Sequence, residues 1–268
     1  MPFSPKERYT IEDLLEIMRL LRSPGGCPWD REQTHESIRS DFLEETHEAV
    51  EAINQHDTDG LREELGDVLL QVVFHSRIEE EKGAFCFADV VDGIAKKLIV
   101  RHPHVFADAS ADSSAQVWQN WDAIKRQTKG GKTQADLLRA VPRSLPALMR
   151  AAKVQGRAKR VGFDWPDVSG ALEAVESETA ELKQAIAGGS QAEVEEELGD
   201  LLFSVVNVSR FLHTDAEQAL TAASDKFIRR FSVVEELAAE RGMDMSAASL
   251  EELDGLWAAA KARCASEE

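Results

Sequence analysis

The sequence predicts an all-α protein made of two copies of one helical unit. Three observations carry that prediction. Apolar residues recur at helical spacing through nearly every long segment, and no stretch alternates strictly as a half-buried strand would. The phrase "REELGDVLLQVVFHSR" (62–77) returns as "EEELGDLLFSVVNVSR" (195–210), identical at ten of sixteen positions without a gap. Between the copies, "TKGGKTQAD" (128–136) breaks the helical pattern with two glycines and polar residues.

Taken in order, "TIEDLLEIMRLLR" opens a first helix, with Thr10 as N-cap and Asp13 three residues on. Periodic segments come next at 36–55, 60–82, 87–101 and 113–128, and after the break at 143–160, 169–187, 190–212, 215–241 and 249–263. The expected organisation is therefore a first unit over 1–130, a linker over 131–142 and a second unit over 143–268. Pairs of helices joined by the short turns "NQHDTDG" and "AGGSQ" make each unit a hairpin, duplicated along the chain.

Composition excludes several classes. The 268 residues include 49 acidic and 31 basic ones, a net charge of −18. The deficit is shared evenly, 25 acidic and 16 basic residues up to position 134 and 24 and 15 beyond it, so neither a basic arm nor an acidic tail exists. That charge opposes nonspecific binding to nucleic acid or anionic membranes. No apolar run approaches the length of a membrane span, and "MPFSPKERYT" lacks the apolar core of a secretory signal. Three widely spaced cysteines, Cys27, Cys86 and Cys264, form no disulfide or zinc framework and fit a reducing cytoplasm.

The repeat carries carboxylates in strict register. Glu45, Glu48, Glu64 and Asp67 recur 133 residues later as Glu178, Glu181, Glu197 and Asp200. Residues three apart share a helix face, so each hairpin helix presents an acidic pair. On the second helix of each hairpin, Glu64 and Asp67 flank an apolar stripe of Leu65, Val68, Leu69, Val72 and Val73. Glu197 and Asp200 flank the matching Leu198, Leu201, Leu202, Val205 and Val206. Two such helices side by side bring four carboxylates together, and like charges in that space call for a cation. All-oxygen ligation points to Mg²⁺ or Mn²⁺. Gly66 and Gly199, repeated inside a helix at a cost of about 1 kcal/mol each relative to alanine, suggest close approach of another helix.

Basic and aromatic residues come after each hairpin. "DKFIRRF" supplies Lys226, Arg229 and Arg230, and "LWAAAK" supplies Trp257 and Lys261. The first half offers Lys97 and Arg101, then Trp121 and Lys125 at the same W-x-x-x-K spacing. A carboxylate-held metal beside cations and an indole fits a polyphosphate joined to a planar base. Ordinary helix packing is the competing role for Trp257, and a structural role for His102 and His104.

Other readings are weaker. "GGKT" resembles the end of a phosphate-binding P-loop, but Arg126 stands where the first glycine belongs. A di-iron bundle needs E-x-x-H on two helices. Glu32/His35 and Glu44/His47 have that spacing, but the second half has no counterpart. An idle helical scaffold would show no metal-dependent turnover.

At "GGCPWDREQTHESI", "FLEETHEAVEAI", "EELGDVLLQVVFH", "RHPHVF", "VGFDW" and "EEELGDLLFSVVNVSRFL" the chain resembles the MazG family of nucleoside triphosphate pyrophosphohydrolases over essentially its whole length. The resemblance implies a tandem of two MazG units, each completing a four-helix bundle in a homodimer. It implies Mg²⁺-dependent hydrolysis of NTPs and dNTPs to monophosphate and pyrophosphate, with broad base tolerance and a nucleotide-cleansing role. It assigns metal ligation and catalysis to Glu178, Glu181, Glu197 and Asp200, with Glu45, Glu48, Glu64 and Asp67 as a second possible metal set. Substrate contacts fall to Glu196, Lys226, Arg229, Arg230, Trp257 and Lys261. Ala174 and Ser177 stand where relatives often carry Lys and Glu.

Overall fold

The computed structural model describes residues 4–107 and 133–267, and every described element is helical. The chain divides into two compact units, 1–130 and 131–268.

In the first unit, α1 (Ile11–Leu21) begins where Thr10 and Asp13 cap each other's backbone, the reciprocal pair expected from the sequence. A short α2 (Pro28–Glu32), which helical periodicity does not signal, comes next with proline in its first turn. The hairpin is α3 (Arg39–Asn54) and α4 (Thr58–Glu81), turned at His56, which takes a positive φ, and at Asp57, whose carboxylate accepts from the first backbone N–H groups of α4. Then come α5 (Phe87–Arg101) and α6 (Pro103–Phe106). Met18, Ile38, Val73, Phe74 and Ile78 form the core, which seats α1 and the start of α3 against the far half of α4. The helix expected at 113–128, with Trp121 and Lys125, lies outside the described residues.

The second unit opens with a correction. Within the expected linker, 131–142, a helix α7 (Gln134–Arg139) forms, capped reciprocally by Thr133 and Asp136, and Val141 is buried. The adjacent glycines mask this cap in the sequence. Next are α8 (Ala147–Lys159), the hairpin α9 (Val168–Gly188) and α10 (Gln191–Phe211), and the long pair α11 (Ala216–Glu240) and α12 (Leu250–Glu267). Gly189, at φ +75°, ends α9 in the left-handed conformation that glycine adopts without strain. Val234, Ala238, Leu256 and Ala260 bind α11 to α12, with Trp257 packed at the margin. The Gln155 amide nitrogen donates to the Phe203 carbonyl at 2.7 Å, tying α8 to α10.

One expectation about the second hairpin helices changes, and their apolar stripes stay partly open. The apolar stripe is only partly covered: Val73 and Val206 are 1% exposed, but Leu65 is 54% and Leu202 51% exposed. The far end of each stripe is buried at Val73 and Val206, while Leu65, Leu69, Leu198, Leu202 and Val205 stay open. Gly66 and Gly199 make no close approach either, since a Cβ on each would meet nothing within 4 Å among the described residues.

Candidate metal centre

The two hairpins gather their carboxylates as the repeat suggests, but not identically. In the second unit, oxygens of Glu178 on α9 and of Glu197 and Asp200 on α10 lie within 4.8 Å of one another. In the first, the converging trio is Glu45, Glu48 and Glu64, again within 4.8 Å. Among the described residues these are the groups of potential ligands that converge, and neither contains a histidine. The E-x-x-H pairs of a di-iron centre are therefore not assembled. His35 instead bonds His75 (2.7 Å) and Glu79 (2.6 Å), contacts across 40 and 44 residues that the sequence does not signal.

Electrostatics ties the fourth member of each set to the other three. Partial burial, then Glu181 and Asp200, push the Glu178 carboxyl above its ordinary range. Glu197 rises for the same reasons, with Glu181 the largest neighbouring charge, then Glu178, Asp200 and Glu196. In the first unit burial and then Asp67 raise Glu45, while burial, Glu48 and Asp67 raise Glu64. Glu45 also feels Glu44 and Asp41, whose register positions in the second unit are Ser177 and Ala174. Every charge that shifts these four glutamates is another carboxylate, so each set is held together against like-charge repulsion.

A hard divalent cation fits this donor set. Oxygens around Mg²⁺ at about 2.1 Å lie at most roughly 4.2 Å apart, so small side-chain rotations close either trio. A bound cation would relieve the repulsion that raises the four glutamates.

Of the residues expected to contact substrate, all but Glu196 sit on the other helix pair of the second unit. Lys226, Arg229 and Arg230 lie on α11, and Trp257 and Lys261 on α12. Trp257 packs against Phe227 with ring centroids 5.1 Å apart, and Phe227 stacks on Phe231. Lys226 and Lys261 are exposed, and the buried Nε of Arg230 has no hydrogen-bond partner among the described residues. Glu196 is exposed beside Glu197. In the first unit Lys97 and Arg101 lie on α5, and His102 Nδ1 bonds the Leu98 carbonyl (2.6 Å), consistent with a structural role.

Paired helical hairpins, each collecting carboxylates at the edge of an apolar stripe, define a duplicated all-α protein with a candidate divalent-cation site in each half. Comparison with known proteins makes this specific. The MazG nucleotide pyrophosphohydrolase domain matches residues 33–106 and 168–234, which take in both hairpins and the helices α5, α6 and most of α11. The nucleoside triphosphate pyrophosphohydrolase of Escherichia coli strain K12 is 48% identical over 252 residues, covering 92% of this chain and 95% of that one. The nucleoside triphosphate pyrophosphohydrolase/pyrophosphatase MazG of Thermotoga maritima is 48% identical over 251 residues, 94% of this chain and 95% of its own. YabN of Bacillus subtilis is 47% identical over 249 residues, which span 91% of this chain but 50% of YabN. The chain belongs to the MazG family.

Proposed function

We propose that the protein is a Mg²⁺-dependent nucleoside triphosphate pyrophosphohydrolase, cutting NTPs and dNTPs to monophosphate and pyrophosphate with little base discrimination. The observation that carries this is the convergence of Glu178, Glu197 and Asp200, with Glu181 in electrostatic reach, in a chain nearly half identical to proteins of that name. Mg²⁺, or Mn²⁺ in its place, supplies charge neutralisation at the phosphate oxygens and acidification of a water. A carboxylate oxygen of the set that the cation leaves uncoordinated would accept that water's proton. Lys226, Arg229 and Arg230 offset charge on the pyrophosphate leaving group. Trp257 stacks on the base, and Lys261 and Glu196 contact the rest of the nucleotide.

The half-exposed stripes support assembly as a homodimer in which a second copy covers Leu65, Leu69, Leu198 and Leu202, completing four-helix bundles. Among the described residues no helix is long and apolar enough to cross a membrane, and the acidic chain suits work on the cytoplasmic nucleotide pool without nucleic-acid or membrane partners. The test is a panel of NTPs and dNTPs with Mg²⁺, with products resolved by ion exchange. Monophosphate and pyrophosphate are expected, with turnover abolished by EDTA; diphosphate and orthophosphate would overturn the reading.

A further inference from the structure

Ser177 Oγ donates a 2.9 Å hydrogen bond to Glu181 Oε1, one turn further along α9. Glu181 is also the member of the second carboxylate set left outside the trio of Glu178, Glu197 and Asp200. The first unit offers an internal comparison. There the residue in register with Ser177 is Glu44, which when ionised has no proton to donate, and Glu48, the counterpart of Glu181, joins Glu45 and Glu64. The same backbone position thus joins the trio where the preceding turn carries an acid and stands outside it, though still the largest neighbouring charge on Glu178 and Glu197, where the preceding turn carries a hydroxyl.

We infer that Ser177 is a positioning residue that occupies Oε1 of Glu181 beside the cation site of the second unit, so that a divalent cation must displace the hydroxyl before that oxygen can coordinate. This rests on the metal reading above. Glu181 is exposed and its side chain long, so the hydroxyl's hold is modest and reversible. It nevertheless competes directly with the cation for one oxygen of Glu181. Removing the competitor should tighten cation binding about three- to tenfold, the factor that one net hydrogen bond represents.

The test uses the full chain carrying Glu64→Gln, which breaks the first carboxylate set, and measures Mn²⁺ binding from the free-ion EPR signal without nucleotide. Ser177→Ala in that background is expected to lower the dissociation constant about three- to tenfold, whereas Ser177→Thr, which keeps a hydroxyl, should retain the parent value. Unchanged or weaker binding in Ser177→Ala, or a threonine variant that behaves like alanine, overturns the inference. If the Glu64→Gln parent binds no Mn²⁺, or if adding Glu178→Gln leaves its binding intact, the metal reading fails and this inference with it.

Discussion

Arg210 grips Asp164 with two parallel hydrogen bonds, Nη1 to Oδ2 at 3.0 Å and Nη2 to Oδ1, and each side chain is 13% exposed. The guanidinium also donates to Asn207 Oδ1 and lies 4.4 Å from the Phe211 ring. Asp164 belongs to the "VGFDW" loop, so this pair fastens the approach to α9 onto the far end of α10, the helix that carries Glu197 and Asp200. In the first unit Arg22 does similar work, pairing with Glu81 and donating to the carbonyls of Asp30 and Gln33. The two anchors come from different elements, which is why the repeat in sequence does not announce them.

Arg210→Ala leaves Asp164, in a largely enclosed site, with only the more distant Lys159 at 3.8 Å as a cationic partner. The expected loss is about 2 kcal/mol, below the full penalty for a completely buried charge because the pair keeps some solvent. Urea denaturation monitored by far-UV circular dichroism, in EDTA to remove any contribution from bound cation, measures it. A midpoint unchanged from wild type would show that the loop is held by other contacts.

The same pair sets a pH dependence. The hydrogen bond from Arg210, with its charge and that of Lys159, holds the Asp164 carboxyl below the ordinary aspartate range. A carboxylate whose folded pKa is lowered contributes stability that is fully present above its unfolded pKa and is lost as pH falls through the folded value. The stability gap between wild type and Arg210→Ala should therefore be constant at neutral pH. It should close as pH is lowered through and below the usual aspartate range. A gap that persisted in strong acid would mean the cost of Arg210→Ala comes from lost packing on Phe211.

Much of this is legible in the sequence because it is local. Thr10 with Asp13 marks the start of α1, and the 133-residue repeat locates both acidic hairpins and their eight carboxylates. Three kinds of feature are not legible. The Thr133–Asp136 cap hides beside two glycines, so α7 reads as linker. The His35–His75–Glu79 cluster joins distant segments with no periodic signal. Which three carboxylates of each four converge depends on side-chain conformation, which spacing alone does not determine. Gly66 and Gly199 mislead because helix propensity gives the cost of a glycine but not what lies opposite it.

The open halves of the two stripes give an assembly prediction. Leu198 is 46% and Leu202 51% exposed beside the carboxylates. Two leucines so placed on one helix face are costly to leave in water and are best explained by a second copy covering them. Replacing both with glutamate should convert a dimer to a monomer by multi-angle light scattering, with the helical circular dichroism signal kept. A wild-type protein that is monomeric and fully active at nanomolar concentration would remove the dimer from the proposal.

Which half turns over substrate is the sharpest question the duplication poses. Both halves keep four carboxylates and both converge three of them, so ligand chemistry alone makes both competent to hold a cation. Their surroundings differ. The first set has Asp41 and Glu44 adding negative charge at Glu45, where the second has Ala174 and Ser177, and a triphosphate approaching the first must overcome that extra repulsion. The cations differ as well. Lys226, Arg229 and Arg230 cluster on one stretch of α11, whereas the first half has four more residues between hairpin and cations, 20 from Arg77 to Lys97 against 16 from Arg210 to Lys226. Catalysis should therefore reside in the second unit, with the first holding a cation for structure or regulation. Glu178→Gln and Glu197→Gln are expected to lower kcat by at least ~100-fold, as loss of a metal ligand commonly does. Glu45→Gln and Glu64→Gln should leave most of the turnover in place. Steady-state assays of pyrophosphate release on the four variants decide it, and equal losses of about half from each pair would mean that both sites work.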